Sequence, residues 1–382
     1  MFDMPECSLN FPDEPWWRDE EDYNIYAAFL LLKADIELRR GHHSAEAHRK
    51  AMRLVEDWHD ATMSRRQRMR IFYVMACACD ALDDSSEGLT WIDKALPLAF
   101  ELESDYDVGK LLADRAAMNR DELFFARAAE DARDSLRVID EHEAELNPTE
   151  VTATRLGLLP QLASYEFYIA DFDATKEHLE LARKLIARTP NAILPAAATA
   201  WTQAQLDIYN RIPGVAVSPS LEICEIYEKK GSAISYERAR ILAAQVALAF
   251  AEILPTGTTR DLAIEMAAPH ITAARHLAAT IQDQPGIALC MLVRAHYDRL
   301  ANSNNNRKHV LGEVIQIAED INDIALMAQA HTILGDEYTA DGQVERAKVC
   351  YRITIDLVRE SELPALAFPA RRALGGYGED NT

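Results

Sequence analysis

Four groups of residues in this chain carry types and spacings that bear on chemistry. His42, His43, Glu46 and His48 crowd one turn. Imidazole and carboxylate groups are zinc ligands, but a site needs them on one face. Only Glu46 stands three or four residues from a histidine, and His43 and His48 are five apart. The group reads as a solvated turn, and no metal is expected. The run Ser64-Arg65-Arg66-Gln67-Arg68-Met69-Arg70 is the one dense basic patch. No helix-turn-helix surrounds it, so it reads as the opening of a helix capped by Ser64 and not as a nucleic-acid contact. Arginines oppose the dipole at a helix N-terminus, so carboxylates are expected nearby, the acidic N-terminal arm among them. Cys77 and Cys79, two apart, point in different directions on a helix, which suits neither a disulfide nor a zinc pair. Asp and Glu are abundant, densely so from Glu101 to Glu150, where they read as a solvated outer face.

The motifs of common catalysts are missing. There is no GxxxxGK[ST], GxGxxG, GxSxG or HExxH. Gly375-Gly376-Tyr377-Gly378 follows no strand and reads as tail. No cofactor is expected, and the chain is not expected to be an enzyme.

The elements that position side chains are helices. Hydrophobic residues make up 49% of the 382, enough for a continuous core, while Gly numbers only 14 and Ala, Leu, Glu and Arg dominate. That is an all-α composition. A net charge of −22 repels phosphate backbones, so no direct nucleic-acid binding is expected. The longest apolar run, Ile241 to Leu254, is broken by Gln245 and Glu252 and is too short to span a bilayer. The N-terminus is acidic, without the basic and apolar regions of a signal peptide. A cytoplasmic protein without a membrane partner is expected.

Residues 1–22 form an acidic arm, with eight carboxylates against Arg18 and with Trp16 and Trp17 to dock it. Eight helical hairpins follow. Their paired segments are 24–41 and 44–60, 65–83 and 86–102, 106–122 and 124–145, 149–170 and 172–188, 192–210 and 219–230, 234–255 and 259–282, 284–302 and 306–321, and the two helices within 328–361. Thr149 is the expected cap after Asn147-Pro148. The longest interruption, 212–219, is the candidate for a hinge or a change of superhelical pitch. Residues 362–382 read as a short capping helix and a flexible tail.

The clearest unit is Ala328 to Ser361. Leu334, Gly335 and Tyr338 share one helix, Gly342 breaks the chain, and Ala347, Tyr351 and Thr354 share the next. Small residues at Gly335 and Ala347 let two helices approach, and Leu334, Tyr338 and Tyr351 fill the space beside them. This spacing resembles the tetratricopeptide repeat, a helix–turn–helix with small residues at these two places. His331 and Arg359 depart from the family's Trp and Pro. Worn copies recur: Ala34 and Gly41; Gly88, Ile92 and Ala95; Ala174, His178 and Leu181; Ala295 and Tyr297. Their looser period resembles the tetratricopeptide-like superhelices of large bacterial regulators and peptide-sensing receptors. The resemblance spans residues 24–361 and implies a right-handed all-α superhelix, or α-solenoid.

In that family the first helix of each hairpin lines a concave groove. Carried over position by position, the groove residues are Gln329, Thr332, Asp336 and Thr339 in the eighth hairpin, and His296 and Arg299 in the seventh. Arg70, Tyr73, Asp80, Lys110, Arg120, Trp201, Gln205, Tyr209 and Arg240 fall there in the more worn hairpins. The set is polar, aromatic and rich in Arg, which suits the backbone, carboxylate terminus or acidic side chains of an extended peptide. The resemblance therefore implies a non-enzymatic protein- or peptide-binding scaffold. The alternative is a peptide-sensing receptor without its own DNA-binding domain, acting through a partner protein. A third is an enzyme, such as a phosphatase, on the same scaffold. The oligomeric state stays open, a homodimer included.

Overall fold

The computed structural model describes residues 65–80, 84–303, 306–361 and 363–377. The acidic arm, the first hairpin, the histidine turn and the Ser64 cap lie outside them. The described residues are helical throughout, apart from turns, and contain no strand. They fall into two compact units that meet between Ser104 and Asp105.

In the first unit, α1 (Arg65–Asp80) pairs with α2 (Ser85–Glu101). Asp84 caps α2 by accepting from the Glu87 amide at 3.1 Å. Met69, Met75, Ala76 and Cys79 meet this unit's Ile92, Ala95, Leu96 and Ala99 as buried residues. The arginine-rich start of α1 has its carboxylate close at hand: Arg65 Nε lies 3.3 Å from Glu101 Oε2, at the far end of the same hairpin.

The second unit is a run of helical pairs: α3 (Asp105–Asp121) with α4 (Phe125–Glu141), α5 (Pro148–Tyr168) with α6 (Phe172–Ile186), α7 (Ile193–Tyr209) with α8 (Val217–Lys230), α9 (Ala233–Ile253) with α10 (Thr258–Ile281), α11 (Gln284–Leu300) with α12 (Arg307–Asp320), and α13 (Ile324–Ala340) with α14 (Val344–Glu360). A last helix, α15 (Pro364–Gly375), follows. The architecture is an all-α solenoid of tetratricopeptide-like hairpins. One turn geometry recurs between successive helices, within hairpins and between them. Leu123, Ala170, Gln282, Asn302, Asn322 and Gly342 all take positive φ just after a helix. The following amide then bonds back to a helix carbonyl, as in Phe124 to Asn119, Asp171 to Glu166, Asp283 to Ala278, Asp323 to Ala318 and Gln343 to Tyr338. This is a Schellman closure. Asp171 and Asp323 then cap the next helix through Ala174 and Leu326 amides.

One local expectation changes. Helix α5 is capped by Asn147, whose Oδ1 accepts from the Thr149 amide at 2.9 Å, because Pro148 occupies the first helical turn and Thr149 is already inside it. Within residues 212–219, Pro213–Ala216 form one 3-10 turn that runs into α8, with Pro213 and Ala216 buried and Ile212 and Val215 exposed. A side chain at Gly214 would stand 2.9 Å from the Phe250 ring of α9.

The solenoid closes on itself within this unit. One buried cluster joins Ala116, Phe125, Leu158, Leu162 and Tyr165 of the early helices to Ala328, Val358, Leu363 and Ala367 near the C-terminus. Phe368 of α15 packs 5.7 Å from the Phe172 ring and 5.1 Å from Tyr209. Helix α15 therefore covers α14 and also bridges back to hairpins far earlier in the chain. Phe368→Ala is expected to lower unfolding free energy by about 1.5 kcal/mol, less than a fully buried Phe because the ring is half-buried. Urea denaturation of both proteins measures it; an unchanged midpoint would mean the contact adds nothing to the closure.

Candidate functional site

The first helices of successive hairpins meet through polar and aromatic side chains along one face. Its best-built stretch runs from α9 to α15. Glu252, at the end of α9, receives His296 Nε2 at 3.0 Å and an Arg299 Nη2 hydrogen bond from α11. Asp336 of α13 lies in the field of Arg299 and accepts from Tyr351 OH at 2.8 Å. Thr339 joins Tyr351 OH at 3.2 Å and Tyr377 OH at 2.7 Å. Burial works against the Glu252 charge, but the hydrogen bonds and charges of His296 and Arg299 outweigh it and hold the carboxyl down to about 2. Burial pushes Asp336 up, with Arg299 and Tyr351 pulling the other way.

A second stretch lies on α5, α7 and α9. Gln205 donates to Tyr168 OH at 3.2 Å. Trp201 stands edge-on to Tyr227 at 6.2 Å, and both pack with Tyr236. Arg240 donates to Tyr236 OH at 3.0 Å and lies 3.4 Å from His270 Nδ1. Burial and the Arg240 charge both push His270 down, which leaves its ring neutral and able to accept that contact.

Two atoms on this face are buried and have no partner among the described residues: Gln205 Oε1, an acceptor, and Arg299 Nε, a donor. Buried polar atoms are nearly always paired, so these two are exceptions among the described residues.

Each expected groove residue now has a position. His296, Arg299, Asp336 and Thr339 converge on one network. Trp201, Gln205 and Arg240 line the second stretch. Tyr209 is covered: it stacks on Phe172 at 4.2 Å and meets Phe368. The Thr332 hydroxyl turns toward its own hairpin, bonding Ala328 O at 2.9 Å and Thr354 at 3.2 Å. Gln329 is half-buried and Lys110 exposed. Arg120 pairs with its neighbour Asp121 at 2.6 Å. Arg70, exposed, and Tyr73, half-buried, belong to the first unit, and the Asp80 side chain lies outside the described residues. Of the four arginines expected in the groove, Arg299 pairs with Glu252 and Arg120 with Asp121. Arg240 has no carboxylate on it among the described residues, and is the cation best placed for an anionic group. Glu252, Tyr236 and Tyr377 are additions to the set. The signal for Glu252 was a lone charge inside the apolar run 241–254.

Elsewhere, ligand atoms of Asp105, His142 and Glu145 lie within 4.8 Å of one another. His142 Nδ1 is 3.1 Å from Asp105 Oδ2, an ordinary partly exposed pair. No helix among the described residues is long and apolar enough to cross a membrane.

No protein-family model and no curated protein sequence matches the chain. Solved structures do. The apo form of the quorum sensor NprR from B. thuringiensis superposes with a TM-score of 0.61 at 15% identity, over 88% of this chain and 88% of that one. Aspartyl phosphate phosphatase F from Bacillus subtilis gives 0.60 at 8% identity, over 87% and 93%. NprR in complex with its cognate peptide NprX gives 0.58 at 15% identity, over 88% of each chain. At these identities the likeness is one of fold: the chain is a tetratricopeptide-like helical repeat protein, built like those regulators.

Proposed function

We propose that this chain is a non-enzymatic receptor or scaffold that holds an extended peptide or protein segment along its first-helix face. Arg240, which has no carboxylate on it among the described residues and lies against Tyr236 and His270, carries the reading. Arg240 beside Trp201 and Tyr236 supplies a cation and flat apolar surface for a carboxylate and a side chain. The polar network of Glu252, His296, Arg299 and Asp336 fixes the remaining donors and acceptors in place. Glu252, whose carboxyl the contacts from Arg299 and His296 hold well below the usual range, is poorly suited to act as a general acid or base, which supports a binding role. One neighbour of the same fold, NprR, is named both as a quorum sensor and in complex with its cognate peptide, which favours a regulatory form of this reading, with a partner protein receiving the signal. Cys224, Cys290 and Cys350 are free thiols, in keeping with a cytoplasmic site of action.

Selection from a random peptide display library tests the reading. Enriched peptides are expected to bind the unaltered chain and to lose about tenfold or more in affinity with Gln205→Ala, Arg299→Ala or Arg240→Glu, the cost of about one charge-assisted contact. Equal binding to all three variants, each still folded, would remove the first-helix face as the site. A library that yields no binder would count against peptide binding altogether.

A further inference from the structure

The opposite side of α7 carries a second feature, on different residues from the peptide face. Helices α6 and α8 flank α7 there and leave an open cleft of about 360 Å³. Its walls are apolar: Ile186, Ala196, Ala200, Ala204, Val215 and Pro219. At its rim Val215 is 68% exposed and the neighbouring Ile212 50% exposed, an unusual concentration of bare apolar surface on a chain of charge −22. One carboxylate lines this cleft. Asp207 is only 4% exposed. Its Oδ1 accepts from Gln203 Nε2 at 2.6 Å. Gln203 is held in that orientation by Arg183, whose Nη2 donates to Gln203 Oε1 at 2.6 Å. Arg183 makes no ion pair with Asp207; its guanidinium lies 3.9 Å from Glu180. Asp207 Oδ2 has no donor on it among the described residues.

A nearly buried carboxylate with a neutral amide on one oxygen and none on the other is under-compensated. Burial pushes Asp207 up from the ordinary carboxylate range, with Gln203 and Arg183 opposing. Small walls, alanine after alanine, leave room for a narrow apolar stem, and the open oxygen waits beside it. The relay from Arg183 through Gln203 fixes the carboxylate before any ligand arrives, so little ordering is left for binding to impose.

We propose that this cleft binds a primary ammonium group on a short unbranched apolar stem, with the stem along Ala196, Ala200 and Ala204 and the ammonium on Asp207 Oδ2. A free alkylamine and the lysine of a partner protein share that chemistry. The site is independent of the peptide-binding reading.

Isothermal titration of the full chain with n-hexylamine, 1-hexanol and an N-acetyl-lysine methylamide tests it. Saturable binding of hexylamine is expected, with hexanol weaker by about tenfold, since a charge-assisted contact is lost while the stem is kept. Asp207→Asn is expected to bind the amine and the alcohol about equally, and Ala200→Leu, which fills the cleft without touching Asp207, to bind neither. Support with hexylamine tighter than the blocked lysine assigns a free amine; support with the blocked lysine at least as tight assigns a partner's side chain. No saturable hexylamine binding, or equal binding of hexylamine and hexanol by the unaltered chain, overturns the proposal without recourse to any variant. So does undiminished amine binding by a folded Asp207→Asn protein.

Discussion

Gly335→Ala is expected to destabilise the chain by about 2 kcal/mol, although the same exchange in an unencumbered helix stabilises by about 1 kcal/mol. The reversal comes from Tyr351. A methyl group at Gly335 would stand 2.5 Å from Tyr351 Cε1 and 2.9 Å from Cδ1, well inside contact distance. The ring cannot swing away freely. It is 1% exposed and packed on Ala347, Ala370 and Leu374. Its hydroxyl is also held by Asp336 and Thr339. Moving the ring therefore breaks a well-packed core and loosens the polar network beside it, where Arg299 and Glu252 lie. Urea denaturation gives the loss directly. In the background of Tyr351→Leu, whose flexible side chain has room to give, Gly335→Ala should cost far less, so the two substitutions should couple strongly. Independent, additive effects would mean that the glycine serves something other than this ring.

That pair also shows how far the sequence could be read. Gly335, Ala347 and Tyr351 announce a helical hairpin by size and spacing, and their pairing in the fold is the one those sizes imply. Hairpins elsewhere were legible where the sequence breaks, as at Asn147-Pro148, but the caps at Asp171 and Asp323 show only in the structure. The common turn was not legible. Its left-handed position is filled by Gly only at Gly342, and by Leu123, Ala170, Gln282, Asn302 and Asn322 elsewhere. The geometry is conserved along the chain while the residue that would advertise it is not, because the surrounding packing over-determines the turn. The closure through Phe368 was hidden for another reason. It depends on how small rotations add over many hairpins, and no local pattern encodes that sum. The candidate site was half legible. Register along a helix placed His296, Arg299 and Asp336 together, but it could not show that Glu252 neutralises Arg299 or that α15 covers Tyr209. Those facts lie in contacts between hairpins, where a one-dimensional register stops.

Glu237→Gln is expected to leave stability nearly unchanged at pH 5 and to raise it by about 3 kcal/mol at pH 8. Glu237, near the start of α9, is fully buried, and Asp283, the residue before α11, faces it. Arg238 bridges them, with Nη1 on Glu237 Oε1 at 2.9 Å and Nη2 on Asp283 Oδ2 at 2.8 Å. Gly286 leaves the space: a side chain there would stand 2.5 Å from Glu237 Oε1 and 2.6 Å from Asp283 Oδ2. One guanidinium serves two carboxylates, and Glu237 Oε2 has no donor. Burial pushes the Glu237 carboxyl up to about 7; Arg238 opposes it and Asp283 reinforces it. The proton belongs to the carboxylate pair as a unit. In the unfolded chain the group titrates near its ordinary 4.5. The folded state therefore holds the proton more tightly, and the stability tied to it is fully present below pH 4.5 and drains away as pH rises toward 7. Each pH unit in that window removes about 1.4 kcal/mol, and above it the loss is complete. Glutamine keeps the shape, cannot ionise, and can donate to the Asp283 carboxylate, so the variant should escape the loss. Comparing the two proteins by urea denaturation at pH 5 and pH 8 cancels every other titrating group. A difference that stays the same at both pH values would show that Glu237 is ionised throughout, and that Arg238 alone suffices to hold two buried charges.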